Sequence, residues 1–272
     1  MSAPAADVLL EVEGAVATLT LNDTARRNVM TPELGDALRA RVEALRERQD
    51  VRAVILTGAG GAFSAGGDLK MLERLRKASF EEARTFMLDF YARYLSVLDL
   101  PMPTVAAVEG PAIGAGLCVA LACDVCVVGE DAKLALNFVQ LGLHPGMGAT
   151  YFVPRRAGAQ AAAELLLTGR RFDGKEAVRL GLALEAAPGG GVLARPGGWR
   201  RRLPAMHRWP RVRSSSDWLR TGPRCARHWK KRRASRRRAT GAPTWARDSP
   251  QRRSAGPPSS RGADSVGAAA HA

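Results

Sequence analysis

The stretch VLLEVEGAVATLTLN (8–22) alternates apolar and polar positions around a central Glu-Gly, which predicts a β-hairpin or two short strands. TPELGDALRARVEALRERQ (31–49) changes period: Leu34, Leu38, Val42 and Leu45 recur at helical spacing. Thr31 suits the N-cap and Pro32 the first helical position. VRAVILTG (51–58) is a continuous β-branched run and reads as a buried strand. A glycine-rich loop, AFSAGGDL (62–69), follows it, and a helix is expected from about Asp68. FEEARTFMLDFYARYLSVLDL (80–100) reads as a long amphipathic helix stopped by PMP. TVAAVEG (104–110) and VCVVGE (125–130) read as strands, IGAGLCVALACD (113–124) as a helix packed through small residues, and GAQAAAELLLTG (158–169) as another helix. Strands alternating with helices define an α/β fold with short crossovers.

After about Ala187 this order is expected to end. GGGVLARPGGWRRRLPAMHRWPRVR shows no period, KKRRASRRR is a basic cluster, and the last residues are of low complexity. Composition divides the chain at the same place. Residues 1–186 hold 20 Lys+Arg and 23 Asp+Glu, a net charge of −3, whereas residues 187–272 hold 21 and 3, a net of +18. All five Trp lie in the second part and all seven Phe in the first. The overall +15 therefore describes neither part. Two regions are expected: 1–186, a folded domain, and 187–272, a basic tail too poor in apolar residues to offset its chain entropy, hence disordered. The abrupt turn to Arg, Pro, Gly and Trp is what out-of-frame reading of GC-rich DNA near codons 187–190 would produce.

Cys118, Cys123 and Cys126 sit in one apolar run with no His at ligand spacing, so buried free thiols are expected and no metal site. The N-terminus has no basic segment followed by a long apolar one, and no stretch approaches the ~20 apolar residues of a membrane span. A cytoplasmic location is the expectation.

Four stretches in order carry a resemblance: RRNVMTPEL (26–34), AFSAGGDL (62–69), VEGPAIGAGLCVALACD (108–124) and VQLGLHPGMGATYFVPRRAG (139–158). Together they resemble the enoyl-CoA hydratase/isomerase (crotonase) superfamily, over residues 1–186 only. The resemblance implies a crotonase-like ββα-superhelix core and an acyl-CoA thioester as substrate. Coenzyme A is then part of the substrate, and no separate cofactor is implied. It also implies an oxyanion hole, two backbone N–H donors aimed where the thioester oxygen gains charge as the enolate forms. Motif alignment puts these donors at Gly67 and Ala115. Arg26, Arg27 and Val29 match the loop that lies along CoA, with the two Arg facing its phosphates. Ala65 matches the position beside the adenine, and Asp68 and Leu69 follow the first donor. Asp68 equally suits a helix N-cap.

The departures bear on the chemistry. Family hydratases carry one glutamate three residues beyond the second donor, here Cys118, and another before the GLHPG turn, here Phe138. Some isomerases carry an aspartate after the proline of that turn, here Gly146. General acid–base groups supply roughly 10²–10⁴ each, so ordinary hydration is expected to be weak. Cys118 and His144 are the residues left to substitute for them. The alternative to an active hydratase or isomerase is an impaired CoA-thioester binder with the same fold. A family-type homotrimer or hexamer is implied, although the helical C-terminal region that contributes to it is replaced here. Nucleic-acid binding by the basic tail is the remaining, remote alternative, expected to be non-specific.

Overall fold

The computed structural model describes residues 7–188 and 191–194. β1 (Asp7–Glu13) and β2 (Val16–Asn22) form the expected hairpin, antiparallel from Asp7↔Asn22 to Glu13↔Val16. Gly14 makes the turn at φ +58°, a conformation glycine adopts without steric cost. β3 (Ala53–Gly58), β4 (Thr104–Val108), β6 (Val125–Gly129) and β9 (Glu185–Ala187) then add in parallel, giving the order β1-β2-β3-β4-β6-β9. A second, three-stranded sheet joins β5 (Ala112–Ile113), β7 (Leu134–Ala135) and β8 (Arg171–Phe172) in the order β5-β7-β8.

The large sheet is buried on both faces, which is why VRAVILTG and TVAAV read as continuous apolar runs rather than alternating ones. Val54 and Leu56 face the main core, together with Leu19, Leu21 and the inner stripe of α1 (Pro32–Arg46): Leu34, Leu38, Val42 and Leu45. Ala53 and Ile55 face the opposite side, where they meet Val16, Val105, Val127, Ala187 and Val192.

Local signals set the helix starts. Thr31 Oγ1 accepts the Leu34 N–H at 3.3 Å, and Pro32 opens α1. Asp68 Oδ1 accepts the Met71 N–H at 2.9 Å at the head of α2 (Leu69–Lys77), so its N-cap role is observed directly. Ser79 and Glu82 form a reciprocal capping box at α3 (Phe80–Tyr94). The helical reading of 80–100 is thus met, its last turn tightening to 3₁₀ over Leu95–Asp99. Tyr94 ties α3 to α1, its hydroxyl donating to the Thr31 carbonyl at 2.7 Å. α4 (Ala115–Ala122) is buried along almost its whole length, and Arg156 closes its C-terminal end by donating to the carbonyls of Leu121, Cys123 and Asp124.

Two expectations are corrected. The helix anticipated at 158–169 is the second half of α5 (Ala149–Thr168), which bends at Gly158 (φ +79°, ψ 170°). Pro154 lies in its first half, so this stretch reads as a breaker although the chain is helical there. Regular structure also continues past Ala187. After α6 (Gly174–Arg179), β9 pairs Ala187 with Gly129, and α7 (Gly191–Ala194) buries Val192 against the second core. The expected disorder of the tail beyond, and the suspected change of reading frame, concern residues outside the described ones.

Candidate active site

The glycine loop is a rung between two other segments. On one side Phe63 and Ser64 donate their N–H groups to the Pro111 carbonyl, both at 3.0 Å, and Ile113 N–H donates to the Ser64 carbonyl at 3.0 Å. On the other side Ala65 N–H donates to Arg27 O (2.9 Å), Met30 N–H to Gly66 O (2.8 Å) and Asp68 N–H to Met30 O (3.2 Å). Ser64 is buried, its hydroxyl donating to Asn28 O at 2.8 Å and accepting the Gly66 N–H at 3.2 Å.

Small residues let the second loop close on the first. A Cβ on Gly66 would stand 2.7 Å from Ile113 O, and one on Gly116 would stand 2.7 Å from Ser64 Cβ. Gly114, at φ +53° and ψ −117°, turns the chain from β5 into α4 while its N–H donates to Ala135 O at 2.8 Å. The heads of α2 and α4 thereby flank one rung.

This stitching leaves two N–H groups over. Met30 pairs with the neighbours of Gly67, so the Gly67 N–H points away from that partner. Ala115 is the first residue of α4, where N–H groups have no intrahelical acceptor. Among the described residues neither N–H donates a hydrogen bond, and both residues are half-buried. A Cβ on Gly67 would meet only Leu72 Cδ1, at 3.6 Å, and Gly67 does not have a positive φ. Neither packing nor backbone conformation therefore requires glycine at 67. The space beside it is open to a ligand that reaches main-chain atoms.

Asn28 is a residue the sequence reading passed over. It is fully buried at φ +54°. Its side-chain amide donates to Ala59 O (3.0 Å) and Ala62 O (2.7 Å), and its Oδ1 accepts the Asp23 N–H (2.8 Å). It fixes both ends of the turn that leads from β3 into the loop. The signal available was Asn itself, which tolerates the left-handed region better than most residues.

Of the residues proposed for CoA, Arg27 and Ala65 are bonded through their backbones, and Val29 is half-buried beside them. Arg26 is exposed and pairs with Asp23 at 2.7 Å, and Arg27 is exposed at φ +53°. Leu69 is 64% exposed. Ala65, Asp68 and Leu69 lie within two residues of Gly67, and the Ala65 N–H joins this loop to Arg27. His144 is exposed, on the turn that precedes α5. Cys118 lies fully buried one turn into α4, where burial pushes its thiol pKa up, so the thiolate needed for nucleophilic work is disfavoured. Phe138 is buried with its ring near Gly114: a Cβ there would lie 4.0 Å from Phe138 Cζ.

At Gly146 a Cβ would collide with the hydroxyl of Tyr91, from α3. Burial pushes the Tyr91 phenol pKa above its ordinary value, nearby Cys118 adds to this, and the Met147 N–H pulls it partly back. Sequence reading gave no reason to single out Tyr91. Among the described residues no group of three or more His, Cys, Asp or Glu side chains is placed to hold a metal ion. No described helix is long and apolar enough to cross a membrane.

The fold is shared with known proteins. The enoyl-CoA hydratase/isomerase family model matches residues 11–204, and the chain belongs to that family. It is 45% identical over 180 residues to "Probable enoyl-CoA hydratase EchA14" of Mycobacterium tuberculosis, covering 66% of this chain and 69% of that one. It is 30% identical over 187 residues to "Bacillaene synthase decarboxylase PksI" of Bacillus subtilis, covering 68% and 72%. The crystal structure of an enoyl-CoA hydratase from Polaromonas sp. JS666 superimposes with a TM-score of 0.63 at 32% identity, over 68% of this chain and 72% of that one. The α/β core is thus of the crotonase type.

Proposed function

We propose that the chain binds an acyl-CoA thioester and stabilises its enolate through the N–H groups of Gly67 and Ala115. The observation that carries this reading is the pair of unpartnered N–H groups on loops stitched to each other, with open space at Gly67. Donors fixed in place before the reaction need no reorganisation as charge develops, and each such donor is worth about 10²–10³ in rate. The start of α4 adds the favourable end of a helix dipole to the Ala115 N–H. In this reading CoA runs along Arg26, Arg27, Val29, Ala65, Asp68 and Leu69, and the acyl chain runs toward Cys118, Phe138 and Gly146.

With Cys, Phe and Gly at those three positions, little hydration of crotonyl-CoA is expected beside normal thioester binding. The test pairs isothermal titration of acetyl-CoA with a crotonyl-CoA hydration assay. Binding with slow or no turnover supports the reading. An absence of acyl-CoA binding refutes it.

A second reading concerns the reaction, and the name of the B. subtilis relative, a decarboxylase, favours it. A thioester that reaches its enolate by losing CO₂ needs the oxyanion donors but no base to remove a proton.

A further inference from the structure

The direction of each proposed donor is set inside its own peptide unit, because a planar trans peptide points its N–H opposite to its carbonyl. Gly66 O shares a unit with the Gly67 N–H and accepts from Met30 N–H at 2.8 Å. Gly114 O shares one with the Ala115 N–H and accepts from Cys118 N–H at 3.2 Å. The spacing between the two donors has another origin, which converges on Ser64, a residue 1% exposed. Toward the first donor, its hydroxyl accepts the Gly66 N–H at 3.2 Å while donating to Asn28 O at 2.8 Å. Toward the second, its carbonyl accepts the Ile113 N–H at 3.0 Å. Its side chain also packs so closely on Gly116 that a Cβ there would stand 2.7 Å from Ser64 Cβ and 2.8 Å from Oγ. Ile113 and Gly116 bracket Ala115 in the chain. One buried side chain thus touches a neighbour of each donor.

We propose that Ser64 is a positioning residue, whose hydroxyl and β-carbon hold the Gly67 and Ala115 N–H groups at the spacing that grips one thioester oxygen. The proposal rests on the acyl-CoA reading above. The first loop needs such a hold. Gly66 sits at φ +91°, and with no Cβ its peptide units turn easily. Without the hydroxyl the buried Gly66 N–H has no acceptor, a costly state that favours turning toward another one. That turn takes the adjoining Gly67 N–H off its line. The second loop sets the opposite demand, since Gly116 leaves no room for a bulkier side chain at 64. Serine meets both, carrying an acceptor on a side chain small enough to lie against α4. A spacing fixed in advance matters because donors already in place need no reorganisation as charge develops.

The experiment uses the full chain and acetyl-CoA. Difference infrared spectra between ligand with heavy and with ordinary carbon at the thioester carbonyl isolate the bound C=O stretch. Hydrogen bonds to the oxygen weaken the C=O bond, so the wild-type complex should show the stretch lowered from its position in free acetyl-CoA. In Ser64→Ala it should return most of the way to the free position. Affinity by titration calorimetry should fall by about tenfold or less, because contacts along the rest of CoA remain. A merely structural serine would lower the unfolding midpoint yet leave this band where wild type has it, because the band reports only folded, liganded protein. Gly116→Ala reads the same spacing from the other side: its methyl group wedges α4 off the glycine loop, and the stretch should again rise toward the free position. A wild-type band retained in Ser64→Ala overturns the proposal alone, as does one retained in Gly116→Ala should the serine variant not fold. A wild-type protein that does not bind acetyl-CoA, or binds it with an unshifted carbonyl, overturns the underlying reading and the proposal with it.

Discussion

Replacing Asn28 with alanine is expected to be among the most damaging single changes near the site. Three polar groups lose their partner: Ala59 O, Ala62 O and Asp23 N–H. Ala62 and Asp23 are buried, so each is left unsatisfied at about 1–3 kcal/mol. Ala59 is only half-buried and water can reach it, so its loss costs about 0.5–1 kcal/mol. Alanine must also hold φ +54°, which asparagine tolerates better, adding about 1 kcal/mol. The sum is ~3.5–8 kcal/mol, a large part of the ~5–15 kcal/mol by which a domain is stable. Urea unfolding followed by circular dichroism measures it. Asn28→Gly separates the two contributions, since glycine adopts the left-handed conformation freely, and it should be about 1 kcal/mol more stable than Asn28→Ala. Asn28 O also receives the Ser64 hydroxyl, so acyl-CoA affinity should fall together with stability. An Asn28→Ala variant within about 1 kcal/mol of wild type, or a glycine variant less stable than the alanine one, would refute this account of the loop.

Other substitutions probe neighbouring features. Gly67→Val should leave the unfolding midpoint nearly unchanged, because the described chain leaves room there, yet weaken acetyl-CoA binding at least tenfold (about 1.4 kcal/mol) by titration calorimetry. Equal binding by wild type and the variant would show that no ligand approaches that backbone. Tyr94→Phe should cost only about 1 kcal/mol in chemical denaturation, since the Thr31 carbonyl keeps its bond from Gly35 N–H. Burial holds the Asp124 carboxyl above the usual carboxylate range, against the opposing pull of its Thr104 hydrogen bonds. A raised folded-state pKa contributes stability below the unfolded value, about 3.9, that is lost as pH rises through the folded value. Wild type should therefore lose ground to Asp124→Asn as the pH rises above about 4 in urea titrations, and a pH-independent difference would contradict this.

Much of the scaffold is legible in the residues themselves. Thr31, Pro32 and the stripe at 34, 38, 42 and 45 specify the start and the buried face of α1, and Asp68 marks the head of α2. The two-residue strands β5, β7 and β8 are not legible, because two residues carry no period, and Gly158 and Pro154 conceal that α5 starts at Ala149. The proposed oxyanion donors follow from motifs, since glycines beside a strand end or a helix head are visible in one dimension. Asn28 and Tyr91 are not visible in this way. Asn28 acts on residues 31 and 34 positions away. The Tyr91 hydroxyl takes the space that a side chain at 146, more than fifty residues on, would fill.

The proposed grip on the thioester is made of main-chain atoms, and this shapes how such a protein can drift. Among the standard residues only proline deletes a backbone N–H, so almost any codon change at 67 or 115 leaves the donor itself in place. The groups that would move protons are side chains, each removable by one base change. Selection can therefore exchange the contents of positions 118, 138 and 146 without dismantling the cradle. A chain holding Cys, Phe and Gly there keeps a scaffold from which a different acyl-CoA reaction is a few substitutions away.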